Sequence, residues 1–175
     1  MRRMRPPSIH GFTLVELIVA LALAALLAAT GVHGLGAWLT EQQLRDRADA
    51  LLHALRLARS EAIKRGARVD VCPAAGACAG GPLPWEDGWI VVADAARETQ
   101  PPILRERRAA DGITIRGNRP VADYVSYTSQ GRARRLDGAL QMGTFTVCRP
   151  GLRARKVVLA SSGRTRVETT AETCP

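Results

Sequence analysis

Two arginines near the C-terminus have the spacing of a phosphate-binding pair. Arg164 and Arg166 follow Gly163 in the stretch Gly-Arg-Thr-Arg, directly after two serines, a composition typical of a turn. On an extended segment, residues i and i+2 point to the same side and lie roughly 6.5–7 Å apart, comparable with successive phosphates along a strand. Because a guanidinium can bind two phosphate oxygens at once, this pattern predicts a DNA contact. The simpler interpretation is a hairpin turn with two solvated arginines.

Further cations surround this pair in the sequence. Residues 130–166 contain nine cationic side chains and a single acidic one, Asp137, and the whole chain has a net charge of +9. The additional candidate DNA contacts are Arg132, Arg134, Arg135, Arg153, Arg155 and Lys156. If these side chains converge, the surface binds duplex DNA without sequence preference, and its affinity falls steeply with salt concentration. The sequence leaves that convergence open.

The sequence carries none of the enzyme motifs that local patterns can identify. It has no Gly-x-Ser-x-Gly, no P-loop, no Rossmann fingerprint and no His-Glu-x-x-His. All three histidines, His10, His33 and His53, lie in the first third of the 175 residues, which excludes a histidine-based triad or metal site from the rest. We therefore expect no enzymatic activity, no cofactor and no metal.

The elements that must position these residues begin with a long helix. Residues 12–31 are apolar apart from Glu16, and residues 12–36 would span roughly 37 Å as a helix, enough to cross a bilayer core of about 30 Å. Beyond this membrane half, apolar residues recur at helical spacing and predict an amphipathic half. These residues are Leu44, Ala48, Leu51, Leu55, Ala58 and Ala62.

Short β-like segments follow the helix. We predict strands at residues 67–72, 89–93, 113–116, 124–128, 140–148, 156–160 and 165–169, which turn residues separate from one another. One long N-terminal helix followed by short strands predicts an α+β fold, in which the distal half of the helix packs on antiparallel β-sheet.

The four cysteines favour a disulfide framework. Cys72, Cys78, Cys148 and Cys174 are even in number and all follow the predicted membrane segment, which fits an oxidising compartment. Three pairings are possible. We favour Cys72–Cys78, which would close a loop rich in Pro, Gly and Ala, and Cys148–Cys174, which would tie the tail to a strand. A zinc site is the alternative, but there is no Cys-x-x-Cys and no suitable histidine.

The N-terminus resembles the processing signal of type IV prepilins. Gly11-Phe12-Thr13-Leu14-Val15-Glu16 follows a short basic leader and precedes the apolar helix. The resemblance implies that a prepilin peptidase cuts between Gly11 and Phe12, that the new Phe12 amine is N-methylated, and that Glu16 pairs with a neighbouring subunit's Phe12 amine in a filament. A secretory signal peptide or a plain anchor would not account for Glu16, since a carboxylate near the bilayer centre costs roughly 2.5–3.5 kcal/mol.

Later segments make the resemblance more specific. Residues 60–66, 85–92, 127–132 and 161–166 are similar to the minor pilins and pseudopilins called FimT and GspH. The resemblance implies a type IV pilin-like fold with a leader at 1–11, a transmembrane and filament-core helix at 12–36, and a periplasmic or extracellular domain at 37–175. It also implies a single-pass inner-membrane protein that later enters a pilus at the cell surface.

Two functions compete within this group. FimT-like proteins belong to type IV pili and help to capture DNA in natural transformation, and the Gly-Arg-x-Arg at 163–166 resembles their DNA-binding motif. GspH-like proteins are minor pseudopilins of the type II secretion system and act through protein–protein contacts. A purely structural role in starting pilus assembly is a third hypothesis. We favour DNA binding, with other pilins and the prepilin peptidase as further partners.

Overall fold

The computed structural model describes residues 13–74, 78, 83–93, 103–105 and 112–175, without the side chains of residues 27–34 and 105. The predicted leader, with Gly11 and Phe12, lies outside the described residues. The chain divides into two compact units, Met1–Thr40 and Glu41–Pro175. In the part of the chain that the structure describes, no helix has both the length and the apolar character needed to cross a membrane.

The described residues form one α-helix and eight β-strands, with 3-10 turns at Trp85–Asp87 and Arg119–Val121. The helix, α1, is Leu14–Arg65. The strands are β1 Val69–Pro73, β2 Trp89–Ala93, β3 Leu104–Arg105, β4 Thr114–Gly117, β5 Val125–Tyr127, β6 Gly143–Cys148, β7 Arg153–Leu159 and β8 Thr165–Thr173.

Both ends of α1 have recognisable local causes. The hydroxyl of Thr13 accepts a hydrogen bond from the backbone N–H of Glu16 at 3.3 Å. This satisfies one of the amides that a first helical turn leaves free, and Thr-x-x-Glu is the sequence of a capping box. At the other end, α1 stops at Arg65, and Gly66 adopts a φ of 61°. That left-handed conformation is the one that glycine favours just after a helix.

The predicted apolar stripe of α1 is the centre of the core. Its six residues, from Leu44 to Ala62, are each at most 1% exposed. They form one cluster with side chains from several strands, which are Val69, Val71, Trp89, Val91, Ile115, Phe145, Val147, Val157 and Leu159. The predicted α+β class, with a long N-terminal helix packed on antiparallel sheet, is therefore confirmed.

The strands form two four-stranded antiparallel sheets, β3-β2-β1-β5 and β4-β6-β7-β8. The strand predictions differ from the structure mainly at β3, β7 and β8, and β6 begins at Gly143 rather than at residue 140. β3 was not predicted, because two residues are too few to show alternation. β7 begins at Arg153 and β8 continues to Thr173, so both are longer than their apolar cores suggested. The pairing between these two strands shifts register between Arg153 and Arg155, a bulge that obscures the alternation.

A buried amide fixes β5 and the segment that leads into it. The side chain of Gln141 is fully buried. Its Oε1 accepts the N–H of Ser126 at 2.9 Å, and its Nε2 donates to the carbonyl oxygens of Tyr124 at 2.7 Å and Pro120 at 2.9 Å. Because three backbone groups depend on this one side chain, β5 and the segment before it are held in a single position.

Two disulfides are present, Cys72–Cys78 and Cys148–Cys174, with Cα–Cα separations of 5.2 Å and 5.6 Å. The first bridges six residues and the second 26. Cys148 ends β6, and Cys174 directly follows β8, so the second bond attaches the end of the chain to the middle of its sheet. The interior of the Cys72–Cys78 loop lies outside the described residues.

Removal of the Cys148–Cys174 bond should destabilise the fold more than removal of Cys72–Cys78. Loop-closure entropy predicts a loss of about 3.5 kcal/mol for the longer loop and about 2 kcal/mol for the shorter one. Urea unfolding of Cys148→Ala/Cys174→Ala, beside Cys72→Ala/Cys78→Ala as the matched control, measures both. Equal losses would contradict the role assigned to the C-terminal bond.

Candidate nucleic-acid interface

The hairpin between β7 and β8 presents Arg164. The backbone N–H of Gly163 donates to the carbonyl of Ala160 at 2.8 Å, and the N–H of Ala160 donates to the carbonyl of Arg164 at 2.9 Å. Gly163 has a φ of 83°, a left-handed conformation that closes a three-residue hairpin loop. Arg164 follows immediately and is exposed.

A second turn repeats this arrangement after β5. The N–H of Gly131 donates to the carbonyl of Thr128 at 2.7 Å, and the N–H of Thr128 donates to the carbonyl of Arg132 at 3.0 Å. Gly131 has a φ of 70°, and Arg132 is exposed. We call residues 128–132 and 160–164 the twin Gly–Arg turns, since each has a left-handed glycine followed by an exposed arginine.

The twin Gly–Arg turns touch each other through their glycines. A β-carbon at Gly163 would overlap the carbonyl oxygen of Gly131 and lie 3.3 Å from Nε of Arg59. A β-carbon at Gly131 would lie 3.1 Å from the same Nε and 2.7 Å from Cδ1 of Ile63. Gly163 is therefore required by close packing against backbone as well as by its conformation, whereas Gly131 is required chiefly by its left-handed φ. The sequence analysis found the two turns but not their contact.

Helix α1 adds cations that the sequence analysis did not include among the candidate DNA contacts. An open groove of about 570 Å³ lies between the C-terminal part of α1 and the 160–164 turn. Its lining is Arg56, Arg59, Ser60, Ile63, Lys64, Gly163, Arg164 and Thr165. This basic groove contains four cations and, among the described residues, no carboxylate in its lining. The spacing of Arg56, Arg59 and Ile63, at i, i+3 and i+7, was the available signal that they share a face.

Three buried polar atoms at or next to the 128–132 turn have no hydrogen-bond partner among the described residues. Nε of Arg59, the hydroxyl of Tyr127 and Oγ1 of Thr128 are buried and make no hydrogen bond within the described part of the chain. Burial raises the pKa of Tyr127 well above its usual range, against the opposing effect of the Arg59 charge. Tyr127 therefore stays neutral and adds no negative charge beneath the groove.

Several predicted DNA contacts are neutralised by carboxylates. Nε of Arg166 donates to Glu168 at 2.6 Å, and Nζ of Lys156 donates to Glu172 at 3.0 Å. Nε of Arg135 lies 3.5 Å from Asp137. The Arg135 guanidinium also lies 5.5 Å from the Tyr124 ring centroid. Arg134 is used locally, because its Nη1 donates to the carbonyl of Gly138 at 3.0 Å.

Arg153 and Arg155 belong to a different surface. They line a second groove of about 610 Å³ with Glu41 and Arg45, and Nη2 of Arg155 lies 4.0 Å from Oε1 of Glu41. The pKa of Glu41 is lowered, first by its hydrogen bond with Arg45 and the charge of that residue, then by Arg155 and Arg153. Since Arg153 begins β7 and Arg164 lies beyond its end, about 23 Å of strand separates them. The convergence that the sequence left open therefore does not extend to Arg153 and Arg155, which line a surface separate from that of Arg164.

No group of three or more His, Cys, Asp or Glu side chains that could hold a metal ion occurs among the described residues.

Comparison with known protein families identifies the chain. Residues 47–163 match the family described as Type II transport protein GspH. The chain belongs to the GspH family. Residues 7–32 of this GspH-family chain match the prokaryotic N-terminal methylation motif, which covers Gly11, Phe12 and Glu16. None of the curated proteins compared with it matches the chain.

Two solved structures have the same fold as this GspH-family chain. Both are crystal forms of the type IV minor pilin FimU from Pseudomonas aeruginosa, strain PAO1. The first has a TM-score of 0.59 at 18% identity and covers 78% of this chain and 98% of FimU. The second has a TM-score of 0.56 at 18% identity and covers 75% and 99%. With both family matches, this confirms a type IV pilin-like minor pilin or pseudopilin, and the family to which the chain belongs consists of structural pilins and pseudopilins.

Gly163→Ala should destabilise the fold far more than Gly138→Ala. Both glycines have a left-handed φ, 83° and 87°, so a side chain strains the backbone equally at the two positions, by about 1 kcal/mol. Gly138 has nothing within 4 Å of an added β-carbon, whereas Gly163 meets Gly131. We expect a total loss of about 3 kcal/mol at Gly163 from the added overpacking. Urea unfolding measures the difference, and equal losses would refute the turn–turn contact.

Proposed function

We propose that this protein is a minor type IV pilin that binds DNA non-specifically, and that it supports DNA uptake in natural transformation and pilus biogenesis. The observation that carries the proposal is the meeting of the twin Gly–Arg turns with the cationic end of α1. Arg164 lines the groove together with Arg56 and Lys64, and Arg132 directly follows Gly131, whose carbonyl oxygen lies against Gly163.

The electrostatics of this region support phosphate binding. The basic groove has four cations and no carboxylate in its described lining. Lys64 lies 3.4 Å from Glu61, but its side chain remains 68% exposed. Arginine side chains bind phosphate oxygens in pairs, and the release of condensed counterions from DNA drives such contacts. Because these contacts are to the backbone, they carry no sequence information.

The proposed site differs from the one that the sequence predicted. We propose Arg132, Arg164, Arg56, Arg59 and Lys64 as its principal cations, around Gly131 and Gly163. Arg166 stays at its margin, since Glu168 partly neutralises it. Arg134, Arg135, Arg153, Arg155 and Lys156 are assigned a secondary contribution through the general positive charge of the domain.

Processing and assembly follow the pilin pattern in this proposal. The prepilin peptidase removes residues 1–11 by cutting between Gly11 and Phe12, and the Phe12 amine is methylated. Residues 12–36 anchor the chain in the inner membrane, with residues 37–175 in the periplasm until the subunit enters a pilus. The match to the methylation motif supports this, as do the large apolar side chains that α1 exposes between residues 14 and 26.

A second function has support from the family description. The matched family is named for type II transport, so a minor pseudopilin of the type II secretion system, acting through protein–protein contacts, is the alternative. That function gives no reason for cations to gather in a groove without carboxylates.

Arg132→Ala/Arg164→Ala should weaken binding to duplex DNA at least about tenfold, because two charge-assisted phosphate contacts are lost. The slope of log K against log salt should fall by about 2. Fluorescence anisotropy on the full-length chain in non-ionic detergent, with disulfides intact, measures both quantities at several salt concentrations.

The matched control is Arg153→Ala/Arg155→Ala, which removes the same charge from the other surface and should change affinity by less than about threefold. Equal losses in both double variants would refute the site while keeping the DNA function. No binding by the unaltered chain at low salt would favour the secretion pseudopilin instead.

Glu16→Gln should prevent incorporation into pili. The neighbouring subunit's Phe12 amine would remain without a carboxylate in an apolar filament core, at a cost of about 3 kcal/mol, which reduces incorporation more than about tenfold. Quantitative immunoblots of sheared pili measure this. Asp49→Asn, an exposed acidic position further along α1, is the control and should assemble normally. Normal assembly of Glu16→Gln would exclude the proposed pairing.

A further inference from the structure

The floor of the basic groove is apolar, and phosphate binding does not account for it. Ile63 lies among the groove cations and is 52% exposed. It stands directly over Gly131, since a β-carbon there would approach its Cδ1 to 2.7 Å. Ile63 is an exposed apolar side chain, so a ligand that covers it with an apolar or π surface gains favourable free energy from the burial.

The shape of the groove selects against a paired duplex. Its volume of about 570 Å³ falls within the range of pockets that enclose small ligands, and it opens to solvent along one side. A duplex is a wide, convex rod with its bases stacked inside, so it touches only the cationic rim. A nucleotide whose base is unpaired can turn that base to the floor.

The spacing of the rim cations fits a single strand that runs along α1. Arg56 and Lys64 are eight residues apart on the helix, about 12 Å along its axis. That distance corresponds to two or three successive phosphates of an extended strand. Arg164 faces them from the 160–164 turn, which gives the groove cations on both sides.

We propose that the basic groove binds unpaired DNA, with bases on the exposed side chain of Ile63 and with phosphates on Arg56, Lys64 and Arg164. This rests on the proposed DNA-binding function and makes the single strand, or an unpaired end, its preferred substrate. The described aromatic side chains of Glu41–Pro175 are all buried. The surface that the bases contact must therefore be aliphatic rather than aromatic.

The test compares three labelled DNAs of equal length: a mixed-sequence single strand, an abasic single strand and a duplex. Anisotropy with the full-length chain in non-ionic detergent should show the normal single strand bound about fivefold more tightly than the abasic strand. In Ile63→Ala this preference should fall below about twofold, with duplex affinity unchanged. Leu136→Ala changes an equally exposed residue, at 52%, on a loop outside the groove and should keep the preference.

Ile63→Ala could weaken binding merely by disturbing the local structure, so a second variant that should strengthen binding is included. Ile63→Phe places an aromatic ring on the floor and should tighten single-strand binding about fivefold or more without a change in duplex binding. Equal affinity of the unaltered chain for the normal and abasic strands would overturn the proposal. So would a loss in Ile63→Ala that is the same for all three DNAs.

The possible results distinguish the preference for unpaired DNA from the DNA-binding function on which it rests. Salt-dependent duplex binding without discrimination between normal and abasic strands would remove only the inference. Absence of binding to every DNA would remove both. Polyglutamate and unlabelled single strand can also be compared as competitors of the bound normal strand. If polyglutamate displaces it equally well, the groove is assigned to an acidic protein segment and the proposal is overturned.

Discussion

The close approach of Gly163 to Gly131 is the contact on which the candidate interface depends. A side chain at Gly163 would collide with the carbonyl oxygen of Gly131, so the two turns can lie against each other only because Gly163 has none. The buried Nε of Arg59 fits beside both glycines, so the helix and the two turns meet at one point. The turn that carries Arg164 lies against the turn that carries Arg132 because Gly163 has no β-carbon. The arginines supply the charge, and the glycines determine where it is placed.

The core explains why the helix can reach those turns. The face of α1 that packs in the core includes Ala48, Ala54, Ala58 and Ala62, all fully buried. Small side chains allow a helix to lie close to the strands that it covers. The space between helix and sheet is then small and can be filled without larger residues. The residues at the edge of that face are then brought against the ends of the strands, which is where Arg59 and Ile63 contact the 128–132 turn.

The sequence predicted the fold better than the site, for physical reasons. Helical and strand periodicity is local, so the apolar stripe of α1 and most strands were found from neighbouring residues alone. Convergence of charge is not local: Arg153 and Arg164 lie in equally basic sequence, yet they occupy different surfaces because a strand separates them. Whether a cationic side chain keeps its charge free also depends on a partner distant in sequence, as for Lys156 with Glu172. Arg56 and Arg59 were visible on a helix face, but nothing in the sequence indicated which turn that face meets.

The Cys148–Cys174 bond has a mechanical consequence. It makes a closed covalent ring of β7, the 160–164 turn and β8, with Arg164 near the far end from the bond. A ligand pulled away from Arg164 would load β7 and β8 at their common tip, a geometry in which hydrogen bonds break one after another. The ring limits how far that peeling can extend, because both strands remain tethered at their other ends to the sheet. Once the hydrogen bonds between β7 and β8 have broken, the tension at the tip would therefore be carried by covalent bonds. The hairpin could re-form when the load is released.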